Sequence, residues 1–173
     1  DTQIVSYEKR FIILRDVVHS IVSELDLNKV FHRILDHVFN FVNAERGCVM
    51  TIDEETGKIE PQVVRDRETE RPVEGFPMSR TICDRVLNEK VAVLSTNAMT
   101  DERFSDGDSI MLQGIRSVMS APMIFQDETY GLISVDNRDM ANVFTDEDLE
   151  TLNIIASLAG MAIHNARMVE NHV

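Results

Sequence analysis

Ile4, Tyr7, Phe11, Leu14, Val18, Ile21 and Leu25 follow one another in steps of three and four, an a/d heptad stripe sustained over three repeats. Only a helix brings such positions onto one face. Ile12, Ile13, Val17 and Val22 widen the stripe beyond a two-stranded seam, so the segment reads as a bundle helix with more apolar surface than one neighbour covers. The other end of the chain matches. Leu149, Leu152, Ala156, Ala159, Ile163 and Ala166 form a second stripe, widened by Ile155, Leu158 and Ala162, so this helix must also bury two sides. Thr145-Asp146-Glu147-Asp148 ahead of it has the form of a capping box. Between the first stripe and the strands, Val30, Phe31, Ile34, Leu35, Val38, Phe39 and Val42 have the 3.6-residue period of a second helix, with Asp26 or Asn28 as its punctuation.

The middle of the chain carries strand chemistry. Gly47 to Ile52 and Lys58 to Arg65 flank a polar turn, Val91 to Ser95 is a short apolar run, and Ser117 to Phe125 with Tyr130 to Val135 reads as an antiparallel hairpin. Ser79 caps a short helix with Ile82, Val86 and Leu87 on one face. The expected class is α/β, in detail α+β: a mostly antiparallel sheet with helices before and after it. At 173 residues this is one domain's worth of chain. The formal net charge of −13 disfavours nucleic acid and anionic lipid surfaces, so neither nucleic-acid binding nor direct membrane contact is expected. Cys48 and Cys83 make no disulfide framework and no CxxC motif, usage that fits a reducing cytoplasm. The first residue is Asp1, not Met, and it opens directly into a helical pattern. The expected organisation is therefore a dimerisation and signalling helix over 1–25, a folded domain over 26–168, and a tail over 169–173 leading to an output domain in the same chain.

Five blocks then occur in order: Pro77-Met78-Ser79-Arg80-Thr81-Ile82 with Val91-Ala92-Val93-Leu94; Asn97-Ala98 with Asp101, Arg103 and Phe104; Gly114-Ile115-Arg116-Ser117-Val118-Met119 with Pro122-Met123; Gly131-Leu132-Ile133 with Val135-Asp136; and Phe144-Thr145 with Glu147-Asp148-Leu149. Together with Glu45-Arg46-Gly47 they resemble a GAF domain, most closely the bacterial GAF domains attached to adenylyl cyclases, histidine kinases and transcriptional activators. The resemblance covers about residues 25 to 168. It implies a six-stranded antiparallel sheet, a ligand pocket on one face, dimerising helices on the other, and a regulatory rather than catalytic role. Cyclic-nucleotide-binding members carry an N-K…F-x-x-x-D-E signature; the matching positions here are Asn137, Arg138, Phe144, Asp148 and Leu149, with Arg for Lys and Leu for the final acid. The resemblance therefore makes cAMP or cGMP the candidate ligand, with Asn137, Arg138, Phe144 and Asp148 supporting the pocket.

The residues themselves outline such a pocket. A helix opening at Ser79 offers the N–H groups of Arg80, Thr81 and Ile82 to an anion. Arg80, Arg103 and Arg116 add positive charge; Asn97, Ala98, Asp101 and Ser117 lie where the polar edge of a base is read; Phe104 or Met119 can stack on its face. Each has a plainer alternative: Ser79 as an ordinary cap, Arg116 paired with Asp101 or Asp136, Phe104 as a core plug. Met78, Met111, Met119 and Met123 either line this pocket or fill the core. His19, His32, His37, His164 and His172 fit no metal-binding spacing, and no nucleophile–base pattern stands out. Three readings follow: a homodimeric small-molecule sensor gating an attached output domain, a ligand-free dimerisation spacer, and a methionine sulfoxide reductase-type enzyme. The homodimer is expected to form through Phe11, Leu14, Val18, Ile21, Leu152, Ala159 and Ile163.

Overall fold

The computed structural model describes residues 2–68, 79–96, 117–138, 141 and 143–171. Its elements are α1 (Thr2–Ile21), α2 (Leu27–Phe41), β1 (Arg46–Ile52), β2 (Ile59–Asp66), α3 (Arg80–Glu89), β3 (Val93–Ser95), β4 (Ser117–Phe125), β5 (Glu128–Asn137) and α4 (Asp146–Asn171). The five strands described form one antiparallel sheet in the order β2-β1-β5-β4-β3. A sixth strand, expected from the family, is not among the described residues.

Local chemistry sets the element ends. Asp26, not Asn28, caps α2: its carboxylate accepts from the N–H groups of Asn28 at 3.0 Å and Lys29 at 3.5 Å. The capping box ahead of α4 is closed in both directions, Thr145 N–H to Asp148 Oδ2 at 3.0 Å and Asp148 N–H to Thr145 Oγ1 at 3.1 Å. Gln126 and Asp127, with φ of 52° and 66°, make a two-residue turn between β4 and β5, shorter than the four polar residues read there from sequence.

Helices α1, α2 and α4 cover one face of the sheet and α3 the other. The larger core lies beneath α1, α2 and α4 and includes Ile34, Leu35, Val38, Val49, Met119, Ile133 and Ile155; a smaller one beneath α3 holds Cys48, Met50, Ile82, Val86, Val93, Val118 and Leu132. Helix α4 lies so close to β4 that a Cβ on Gly160 would stand 3.0 Å from the backbone N of Ile124. Its C-terminal half is also tied to the sheet, through Tyr130 Oη and His164 Nδ1 at 2.7 Å, and to the β1–β2 turn through Arg167 and Glu54 at 3.0 Å.

The end helices correct part of the interface expected from sequence. Ile21, Leu152, Ala159 and Ile163 are 0–2% exposed within their own protomer, so they belong to its core and cannot meet a partner. On α1 the inward residues are Ile13, Val17 and Ile21, whereas Tyr7, Phe11 and Leu14 of the heptad stripe are 57%, 65% and 42% exposed and Val18 is half-buried. Of the widening residues, Ile13 and Val17 thus pack on the domain while Ile12 and Val22 stay exposed, and most of the heptad positions face outward. Ion pairs Lys9–Glu147 and Arg10–Glu150 flank the seam in which Ile13 meets Thr151 and Ile154. Numbers rise together along both helices, so α1 and α4 run parallel.

Candidate functional site

The α3 side of the sheet is built by strict alternation. Arg46 and Cys48 of β1, Ser134 and Asp136 of β5, Val118 and Ser120 of β4, and Val93 and Ser95 of β3 point the same way and align across the strands. One row reads Arg46, Asp136, Val118, Ser95; the next reads Cys48, Ser134, Ser120, Val93. All are buried. The result is a polar floor in the middle of an otherwise apolar sheet.

Arg46 and Asp136 form a bidentate ion pair, Nε to Oδ1 and Nη2 to Oδ2, both at 2.8 Å, with side chains 2% and 0% exposed. Burial pushes the Asp136 carboxyl above the usual carboxylate range, and the guanidinium opposes that shift. Ser120 and Ser134 sit directly opposite each other with their hydroxyl oxygens 2.6 Å apart. One O–H is consumed in that bond, which leaves the pair one further hydrogen to donate and lone pairs to accept. Neutral overall and rich in hydroxyls, this floor suits the polar edge of a heteroaromatic ring. Among the described residues no cluster of His, Cys, Asp and Glu has metal-binding geometry.

The residues read from sequence divide into three groups. Ser79 is buried at the head of α3 and its Oγ accepts the Ile82 N–H at 3.3 Å. Of the three N–H groups expected to seat an anion, Ile82's is therefore already taken, and Ile82 itself packs into the smaller core. Arg80 and Thr81 are exposed at the same helix end. Ser117 donates to the Thr96 carbonyl at 3.0 Å, joining β4 to the end of β3. Met119 is a correction: one residue out of phase with Val118 and Ser120, it points under α1, α2 and α4, on the far side of the sheet from α3, and Met123 goes with it. Asn97, Ala98, Asp101, Arg103, Phe104 and Arg116 lie outside the described residues.

The signature positions serve the frame. Asn137 donates through Nδ2 to the Asn43 carbonyl at 3.0 Å, Phe144 is buried in the larger core, and Arg138 gives its backbone N–H to Glu45. Among the described residues no ion pair joins Arg138 to Asp148, whose carboxylate closes the capping box instead. Sequence reading missed the Arg46–Asp136 pair and the two serines. A trace was present: a charge at the mouth of one apolar strand and an acid at the end of another, with hydroxyls at alternate positions of β4 and β5.

Cys48 gives this floor a measurable property. Burial, helped by the nearby Asp136 charge and Cys83, pushes its thiol from 9.0 up to about 12. The folded thiol is therefore the weaker acid, and the unfolded chain releases that proton first. Stability contributed by this site falls as pH rises above 9.0 toward 12. A thiol-reactive dye at pH 8 should label the half-buried Cys83 first and Cys48 roughly a hundredfold slower, both reacting together only in denaturant. Equal native rates would contradict the burial of Cys48.

Comparison with known proteins agrees with this architecture. The GAF domain profile matches residues 26–163. A probable 3',5'-cyclic phosphodiesterase pde-5 of Caenorhabditis elegans is 24% identical over 170 residues, covering 91% of this chain and 23% of the relative. The hybrid signal transduction histidine kinase G of Dictyostelium discoideum is 29% identical over 76 residues, 44% of this chain and 2% of the relative. The chain thus spans less than a quarter of the length of either relative. Among solved structures, the GAF domain of an Acinetobacter phosphoenolpyruvate-protein phosphotransferase superposes with a TM-score of 0.72 at 17% identity, covering 94% of this chain and 98% of that one. With the profile spanning most of the chain and the sheet, helices and layering in agreement, the protein belongs to the GAF domain family.

Proposed function

We propose that this domain is the regulatory, small-molecule-sensing part of a larger signalling protein. It binds a planar heteroaromatic ligand, with cAMP or cGMP as the leading candidates, and works as a homodimer that gates an attached output domain through its terminal helices. The observation that carries the ligand half is the buried row of Ser120, Ser134 and the Arg46–Asp136 pair on the α3 side of the sheet. A polar row in an otherwise apolar sheet is a place for polar recognition, and after its members have paired it keeps one hydroxyl hydrogen to spare. A base edge would take up the spare hydroxyl hydrogen, and the exposed N-terminus of α3 at Arg80 and Thr81 would face an anionic group. The phosphodiesterase relative lends cyclic nucleotides their place at the head of the panel.

The test is a thermal-shift and calorimetry panel of cAMP, cGMP, other nucleotides and uncharged heteroaromatics. A ligand at a hundred times its Kd should raise Tm by about 5–10 °C in a chain of this size. The double substitution Ser120→Ala with Ser134→Ala removes both hydroxyls together, leaves neither unsatisfied, and should abolish the shift while the protein stays folded. A flat response across the panel, identical for wild type and variant, would leave the spacer reading in place.

The dimer half rests on where the exposed apolar side chains are. Of nine large hydrophobics exposed among the described residues, eight are Tyr7, Phe11, Ile12, Leu14, Val22, Leu25, Met168 and Val169; Val91 is the exception. They lie on α1, just past its end, and on the last turns of α4, and large apolar side chains left open to water in that number are what a partner surface covers. Phe11→Glu with Leu14→Glu should convert the dimer to a monomer by light scattering without loss of helicity. An unchanged mass would rule out α1 as the contact.

A further inference from the structure

Resting on the sensor reading, we propose that the tip of the β4–β5 hairpin, residues 124–131, couples α3 on one face of the sheet to the outgoing half of α4 on the other. Three non-glycine residues among those described have positive φ: Lys90 at 56°, Gln126 at 52° and Asp127 at 66°. They meet at one place. Lys90 ends α3 in the left-handed conformation, and its Nζ donates to the Asp127 carbonyl at 2.9 Å. Two-residue turns of this hand favour Asn or Asp followed by Gly; Gln followed by Asp adopts one only against side-chain crowding. Backbone held in sparsely populated conformations persists where its surroundings over-determine it, and here one of the contacts that hold it is the end of α3.

The other face of the same tip holds α4. Leu132 packs beneath α3, so simple alternation would send Tyr130 there too. Tyr130 instead lies in the larger core beneath α4. The cause is a bulge: Met123 pairs with Gly131 and Ile124 with Thr129, which leaves Tyr130 without a residue opposite on β4. Re-aimed in this way, Tyr130 Oη reaches His164 Nδ1 at 2.7 Å, and Arg167 lies over its ring at 5.0 Å. Phe125, from the other strand, meets the His164 ring at 4.9 Å. One short tip therefore grips the end of α3 and the second half of α4, which lie on opposite faces of the sheet. A ligand seated between α3 and the floor would bear on the helix that Lys90 ends and on the strand that carries both Ser134 and Tyr130. A strained, tightly packed tip shifts as a unit rather than bending, so displacement at Lys90 arrives at His164.

The test is amide hydrogen exchange by mass spectrometry on the whole chain, carried out without ligand. Lys90→Gly removes the ammonium, and glycine adopts a φ of 56° without strain, so the fold stays intact. Exchange should nevertheless rise about threefold over residues 161–171 of α4, with α2 unchanged. Lys90→Arg keeps a cation of similar reach and should restore the wild-type rate. In the reverse direction, Tyr130→Phe keeps the ring but loses the bond to His164, and should raise exchange across α3 about threefold. Changes confined to α3 in the first variant and to α4 in the second would overturn the coupling, as would a rise spread evenly over all the helices. The ligand is judged separately, by the cAMP and cGMP panel. A flat panel with both reciprocal effects present keeps the coupling and strikes the ligand; a positive panel with local changes only keeps the ligand and strikes the coupling.

Discussion

Gly131→Ala should remove much of the domain's stability. Gly131 lies in β5 with φ of +151°, paired with Thr51 on one side and Met123 on the other. A Cβ there would stand 1.9 Å from the Met50 carbonyl oxygen and 2.8 Å from the Thr51 Cα. Both are backbone atoms of the neighbouring strand, so no rotamer change relieves the clash. The central strand would have to part from β1, and the expected cost exceeds about 4 kcal/mol, much of a domain's total stability. Gly57→Ala is the control. Its φ of +72° is equally unusual, but a Cβ there meets nothing within 4 Å, so the cost should be only about 1–2 kcal/mol of left-handed backbone strain. Urea titrations of the two variants separate collision from strain; equal midpoints would show that the β1–β5 approach is looser than described.

The second large effect is at the buried ion pair. Asp136→Ala leaves the Arg46 guanidinium buried without its carboxylate and should cost about 3–5 kcal/mol. Arg46→Met strands Asp136 in turn, but that carboxyl already resists ionisation because burial raises it, so it can take up a proton and the loss softens as pH falls. The double variant Arg46→Met with Asp136→Leu should recover most of the stability, since neither charge remains to be desolvated. If the double variant were as unstable as Asp136→Ala alone, the pair would be a net stabiliser and the raised carboxyl would be unexplained. In ligand assays the double variant tests the floor independently of Ser120 and Ser134.

Much of the fold was legible because it rests on short-range rules. Helix and strand periods, the Ser79 and Thr145 caps, and the β4–β5 hairpin depend on neighbours a few residues apart, and the structure repeats them, β4 with the same bounds and the first helix ending at Ile21 rather than near Leu25. The site was less legible. Arg46 and Asp136 are 90 residues apart, and only strand order β1-β5 brings them opposite each other. Sequence offers Met119 as a side chain to stack on a ring in the pocket, yet in a strand the difference between 118 and 119 is the difference between two faces of the sheet.

The end helices mark the same boundary most clearly. Periodicity alone determined that α1 and α4 each carry more apolar surface than one contact buries. It had no means of ranking Ile13, Val17 and Ile21 against Tyr7, Phe11 and Leu14, because both sets are apolar and both recur at helical spacing. Tertiary packing made that choice: α4 and α2 take the aliphatic side of α1 into the core, and the bulky aromatic side is left facing out. Burial depends on which surfaces fit together, and fit is a property of three-dimensional neighbours that no count along the chain contains.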